Sequence, residues 1–423
     1  MQACTATPPA PSHFTLQNGL QVVVLPNARA PVITVGVFYA AGSADEEPHK
    51  SGVAHFLEHM MFLGTKNTAP GQFKQELAAL GGTTNASTTW DTTYFVSVVP
   101  TRHLARILEL EADRMANLAI HDDLFQNEMK VVLEERLWRL ETPPTGQVYE
   151  SVNAHYFVNH PYRVPVIGWR KEIEALTPDD LFQYYHKWYT PKNALLILSG
   201  DITPEEAKKL VHKYFSPILG GPKPKRHRLI DPPHSLGLQK LRFVHPELSP
   251  QIMMIYDLDT FDPSTSERYL LEILKLLLDK KLKEVLINRL HLVEQVGVDI
   301  PRNIDTFPFN ISMDLSDAHL MKKAIITIEN ILKELIENGF DQEDVDKVKE
   351  ATLLAIYTTQ SNIEEICEQY GMALARGSSF DEIRELPTTI SGFTLTQINE
   401  RFKRIFNAAP HMIVETFKGE RPQ

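Results

Sequence analysis

Residues 216–235, SPILGGPKPKRHRLIDPPHS, crowd glycine, proline and charge into one stretch near the midpoint of a 423-residue chain. Such a stretch carries neither the apolar repeat of a helix nor the alternation of a strand, so it reads as a connection between periodic segments. A chain of this length is also too long for one ordinary core. Across the break lies an echo: LTPDDLFQYYHKWYTPKNALLILSGD aligns without gaps to FTLTQINERFKRIFNAAPHMIVETFKGE when Thr177 is set against Thr394. Each copy is a Thr-capped amphipathic helix, a short turn and an apolar strand. The expectation is two diverged copies of one domain, residues 13–215 and 237–423, joined by a linker over 216–236, with 1–12 as a flexible tail.

Within the first copy the alternating runs LQVVVLPN and PVITVGVFYAAGS read as strands. TTNASTTWDTTYFVSVVP does too, because its Thr, Tyr, Phe and Val favour a pleated surface. Between them helical patterns cover SGVAHFLEHMMFLGT and GQFKQELAALGG; longer ones follow at TRHLARILELEADRMANL and DDLFQNEMKVVLEERLWRLE. Strands with helices packed on them make an α+β fold.

Composition narrows the partners. With 43% hydrophobic and 23% charged residues the chain has the balance of a globular protein, and its net charge of −11 disfavours a phosphate-backbone partner, so nucleic acid is not expected. Two cysteines, Cys4 and Cys367, give no disulfide framework and no thiolate metal site. No run reaches the 18 apolar residues of a membrane span. The start, MQACTATPPAPS, reads either as a tail or as the stub left by a signal peptide.

The chemistry is concentrated in the first helical run, where His55 and His59 stand four apart with Glu58 between them. Positions i and i+4 share a helix face, so both imidazoles can address one metal ion. Glu58, three residues after His55, can reach a water held there without itself being a ligand. The order is the reverse of the common zinc-protease helix, with the carboxylate beside the second histidine. Chance would yield His-x-x-Glu-His in roughly one chain in twenty of this size. Burying His and Glu unpartnered in GVAHFLEHMMFLG, however, would cost several kcal/mol.

A catalytic zinc takes three protein ligands and leaves a fourth position open. The acidic run QNEMKVVLEERL offers Glu128, Glu134 and Glu135. At about 100° per residue Glu128 and Glu135 fall within about 20° of each other, while Glu134 is turned roughly 100° away from Glu135. Spacing alone leaves a solvated acidic face as the alternative.

With Glu135 placed 76 residues after His59, and Glu128 seven residues before Glu135, the chain resembles the pitrilysin/insulysin family of zinc metallopeptidases. The Gly-Thr after the motif, the stretch GGTTNASTTWDTTYF and the helix-turn-strand at 176–201 extend the likeness, which is strong over residues 13–215 and weaker beyond. The length is similar to that of mitochondrial processing peptidase subunits and bacterial two-chain relatives. The resemblance implies two homologous domains in a clam-like chain, each a mostly antiparallel sheet with helices packed on it. It implies a zinc endopeptidase whose metal is held by His55, His59 and Glu135, with Glu58 as general base and Glu128 supporting the ligands from behind. Asn85 and Ala86 fall on the family's substrate-pairing edge strand. A bacterial periplasmic or envelope location is implied in the same way.

One departure stands out. The family's second domain carries an Arg and a Tyr that hold substrate; setting Gly297 of HLVEQVGVDIP on the family glycine places Val293 and Ile300 at those positions. Arg289 and Arg302 lack the spacing. The expectation is a homologous second subunit that supplies the pair. The alternative is a noncatalytic subunit of the same fold acting in assembly, against which the complete His55, Glu58, His59 and Glu135 set counts.

Overall fold

Valine, leucine and isoleucine fill the centre of Gln21–Pro26 (β2), Val32–Tyr39 (β3) and Ala194–Gly200 (β6), and these strands are buried along almost their whole length. Such runs belong in the middle of a covered sheet. With Ser12–Thr15 (β1), Thr83–Thr88 (β4) and Thr93–Pro100 (β5) they form a six-stranded sheet in the order β1-β2-β6-β3-β5-β4. Only β2 and β6 pair in parallel; the other four pairings are antiparallel. The polar strand β4, TTNAST, takes the edge, where one side of its backbone has no strand partner among the described residues. The computed structural model describes residues 10–226, 228, 237–258, 264–301, 303–305 and 308–419. Most of the expected tail, with Cys4, and Arg302 lie outside that set, as do 227 and 229–236 of the expected linker.

The second sheet contains Gln239–His245 (β7), Gln251–Tyr256 (β8), Gln295–Asp299 (β9), Phe309–Asp314 (β10) and Met412–Lys418 (β11), in the order β7-β11-β8-β10-β9. Here too only the pair formed with the last strand, β7 with β11, is parallel. Leaving out β1, the two sheets have the same strand order and the same directions, which is the architecture expected of a duplicated domain. The echo in the sequence occupies equivalent places. Thr177 and Thr394 each cap a helix, Pro178–Trp188 and Leu395–Phe406, with reciprocal bonds to Asp180 and Gln397, and β6 and β11 follow.

Two compact units divide the chain, and neither is one continuous segment. The first comprises Met1–Leu137, His160–Leu229 and Thr358–Phe380; the second comprises Trp138–Asn159, Ile230–Tyr357 and Asp381–Gln423. Helix Ile363–Ala375, from the C-terminal half of the sequence, therefore lies with the first sheet, packed on β3 and β6. Two glycines allow that close approach: a Cβ on Gly36 would stand 2.6 Å from Cys367 Sγ, and one on Gly371 2.2 Å from the Phe38 ring. The expected linker is also partly engaged. Arg228, 5% exposed, bonds Asp45 at 3.0 Å and Asp91, which in turn accepts from the Tyr162 hydroxyl at 2.8 Å. In the second unit Val293 and Ile300 join an apolar core with Val296, Val298, Ile311 and Leu286.

Candidate metal centre

The motif lies on a short helix, Val53–Met60, whose apolar side is buried through Val53, Ala54, Phe56, Leu57 and Met60; Phe56 stacks on Phe125 of helix Asp122–Arg136 with ring centroids 4.8 Å apart. Its start is held by carboxylates rather than by a Ser or Thr cap. Glu46 accepts from the backbone N–H groups of Gly52 at 3.0 Å and Ala54 at 2.9 Å, and Glu172 accepts from Ser51 at 3.0 Å. Anions there complement the positive end of the helix dipole. Burial nevertheless pushes the Glu46 pKa well above its usual value, a shift that the bonds from Ala54 and Gly52 oppose. Gly52 has φ 91°, and a Cβ there would meet the Ile167 carbonyl at 2.6 Å, so the entry into the helix needs glycine.

Three donors converge beside this helix. His59 Nε2 lies 3.3 Å and His55 Nε2 3.7 Å from the two oxygens of Glu135, and one atom from each residue falls within 4.8 Å of the others. Ligands about 2.0–2.1 Å from a tetrahedral zinc stand roughly 3.3 Å apart. Two imidazole nitrogens and a carboxylate oxygen are a donor set that zinc takes; the 3.3 and 3.7 Å separations are near the tetrahedral spacing, and a separation of up to 4.8 Å must contract for the three to share one ion. Glu128 accepts a 2.7 Å hydrogen bond on the other ring nitrogen, His59 Nδ1, leaving Nε2 directed at Glu135. Glu134 is exposed, as the helical angle requires.

Glu58 does not join the cluster of three. Its Oε2 accepts a 2.6 Å bond from the Thr88 hydroxyl at the end of β4. Asn85 and Ala86 lie on the same strand, Asn85 exposed and Ala86 half-buried. Val293 and Ile300 are 6% and 8% exposed inside the second unit's core, and Arg289 lies at the exposed end of the wide-turn helix Lys283–Arg289. Sequence reasoning missed Thr88, Glu46 and Glu172. The only signals were a threonine in a strand-forming run, an acidic residue before the motif (Glu46) and another in a distant charged helix (Glu172), all too common to single out.

In the absence of metal, burial draws the His59 pKa down, but the hydrogen bonds to Glu128 and Glu135 outweigh it and push it up to about 9. A raised folded-state pKa stabilises the fold fully below the unfolded value near ~6.5 and loses that contribution as pH rises through about 9. We expect metal-free His59→Gln to be less stable than the metal-free parent by on the order of 3 kcal/mol at pH 6. The gap should narrow as pH passes 9. Chemical denaturation at several pH values reads it, and a gap independent of pH between 6 and 10 would refute the ion-paired state of His59.

Comparison with known proteins places the chain in a family. The family model described as Insulinase (Peptidase family M16) matches residues 22–168, and the one described as Peptidase M16 inactive domain matches 175–352. The chain belongs to peptidase family M16, whose named members include zinc proteases. It is 38% identical over 211 residues to zinc protease PqqE of Helicobacter pylori, covering 49% of this chain and 48% of that protein. It is 30% identical over 234 residues to a probable mitochondrial-processing peptidase subunit beta of Schizosaccharomyces pombe, covering 53% and 51%. Each match thus spans about half the length of the relative. The crystal structure of a protease from Helicobacter pylori superposes with a TM-score of 0.85 at 26% identity, covering 96% of this chain and 99% of that one. All the candidate site residues fall inside the stretch matched by the first family model.

Proposed function

We propose that the chain is a zinc endopeptidase, or the catalytic subunit of one, acting on peptides in an enclosed chamber. The observation that carries the reading is the convergence of His55, His59 and Glu135. His55 Nε2, His59 Nε2 and a Glu135 oxygen would hold the ion. Bound zinc supplies a Lewis acid and brings the pKa of water that it holds toward neutrality. Glu58 takes the proton of the attacking water and returns it to the leaving amine. Glu128 keeps the His59 Nδ1 proton in place and so fixes the tautomer that ligates. The edge of β4, which carries Asn85 and Ala86 and has no strand partner among the described residues, receives an extended peptide by strand addition, which makes little demand on its sequence. The periplasm or cell envelope is the corresponding location, to be read by fractionation.

The chain works with a homologous second subunit. Water activation alone does not hold a peptide carbonyl in position or stabilise its developing oxyanion, each worth several kcal/mol of barrier. Val293 and Ile300 are buried in an apolar core and donate no side-chain hydrogen bond. A subunit kept for assembly alone would have no use for an intact His-His-Glu cluster. We expect the purified chain to bind about one zinc and to cleave short fluorogenic peptides weakly until the partner is added. Replacing the partner's clamping Arg and Tyr should abolish the gain. Full activity of the chain by itself, undiminished on dilution, would overturn the need for a partner, and a chain that binds no zinc would overturn the reading as a whole.

A further inference from the structure

Thr88 offers more than strand propensity. Its hydroxyl lies 2.6 Å from Glu58 Oε2, within the range of charge-assisted O–H···O⁻ bonds, and accepts a longer contact of 3.5 Å from the fully buried Thr93 opposite it. The hairpin that sets this register is itself fixed. Thr89 Oγ1 accepts from the N–H groups of Asp91 at 3.2 Å and Thr92 at 3.0 Å and donates to the Thr92 carbonyl at 3.1 Å. Asp91 at the tip is buried, bound by Tyr162 and Arg228. A hydroxyl at the end of a strand whose turn is so constrained has little freedom, and it fixes one carboxylate oxygen of Glu58 in turn.

We propose that Thr88 is the positioning residue for Glu58 and couples the orientation of this base to the edge strand on which the peptide docks, an inference that rests on the peptidase reading above. β4 thereby has two roles. Its backbone edge takes the substrate strand, while the side chain of its last residue, 30 positions after Glu58 in sequence, aims the carboxylate. Strand docking and proton transfer are then parts of one rigid hairpin, and the effect of losing the hydroxyl falls on turnover rather than on binding.

The experiment compares Thr88→Val, which keeps the shape and loses the donor, with Thr88→Ser, which keeps the donor, in the full chain together with its partner. Thr88→Val should lower kcat by about 10- to 100-fold, the scale of a misplaced catalytic group, with KM within about twofold. Thr88→Ser should restore most of it. Zinc affinity, read by competition with a chromophoric chelator, should be the same in both. A second readout needs no activity: thermal unfolding of the metal-free parent, Thr88→Val, Glu58→Ala and the double variant, where a direct bond makes the two shifts less than additive. Additive shifts, a serine variant as slow as the valine one, an effect on KM alone, or loss of zinc in Thr88→Val would each overturn the proposal. If the parent assembly cleaves no peptide, the peptidase reading fails by itself, and the unfolding cycle alone decides whether Thr88 holds Glu58.

Discussion

On the peptidase reading proposed above, Glu58→Gln should keep the zinc and lower kcat at least ~10²-fold, the usual scale for a general base. The amide has the shape of the carboxylate and still offers an oxygen to the Thr88 hydroxyl, so the side chain should stay where Glu58 lies. What it loses is the ability to take a proton. Glu58 is not one of the three proposed donors, His55, His59 and Glu135, so metal content should not change. The measurement pairs metal analysis with kcat in the active assembly. A variant as fast as the parent would remove Glu58 from the chemistry, and one that lost its metal would place Glu58 among the ligands.

Glu135→Ala should leave the chain without zinc after dialysis against a competing chelator, whereas Glu134→Ala should retain it. The two residues are adjacent, which makes the contrast stringent: Glu135 approaches both imidazoles at 3.3 and 3.7 Å, while Glu134 faces solvent. Glu128→Ala should fall between them. It removes the 2.7 Å bond to His59 Nδ1 but no donor, and outer partners of this kind are typically worth 10- to 100-fold in metal affinity. Equal zinc in the Glu134 and Glu135 variants would refute the ligand set.

The reach of the sequence into this site follows the range of the interactions involved. His55 and His59 were legible because helical geometry relates residues four apart without any tertiary information. Glu135 could be separated from Glu134 by the same helical rotation, but only the resemblance pointed the acidic helix at the motif, since nothing local says what a helix faces. Thr88 was invisible because its bond to Glu58 is made by a hairpin returning beside another element. The duplication was legible through one helix, turn and strand, and the shared strand order extends it to nearly the whole of both sheets. The packing of helix 363–375 was not legible at all, since nothing local says that Gly36 and Phe38, more than 300 residues earlier, meet it.

That helix bears on how the protein is made. The face of β3 and β6 that Ile363–Ala375 covers is synthesised well before its cover: about 135 residues separate Arg228 from Ile363, roughly 7 to 27 s of elongation at 5–20 residues per second. During that interval the first sheet is on the nascent chain without the helix that covers β3 and β6, so the half that holds the candidate metal site emerges first but is completed only when that helix arrives. Cutting the gene at its apparent midpoint would therefore yield no independent catalytic fragment, because the second copy contributes a structural part to the first.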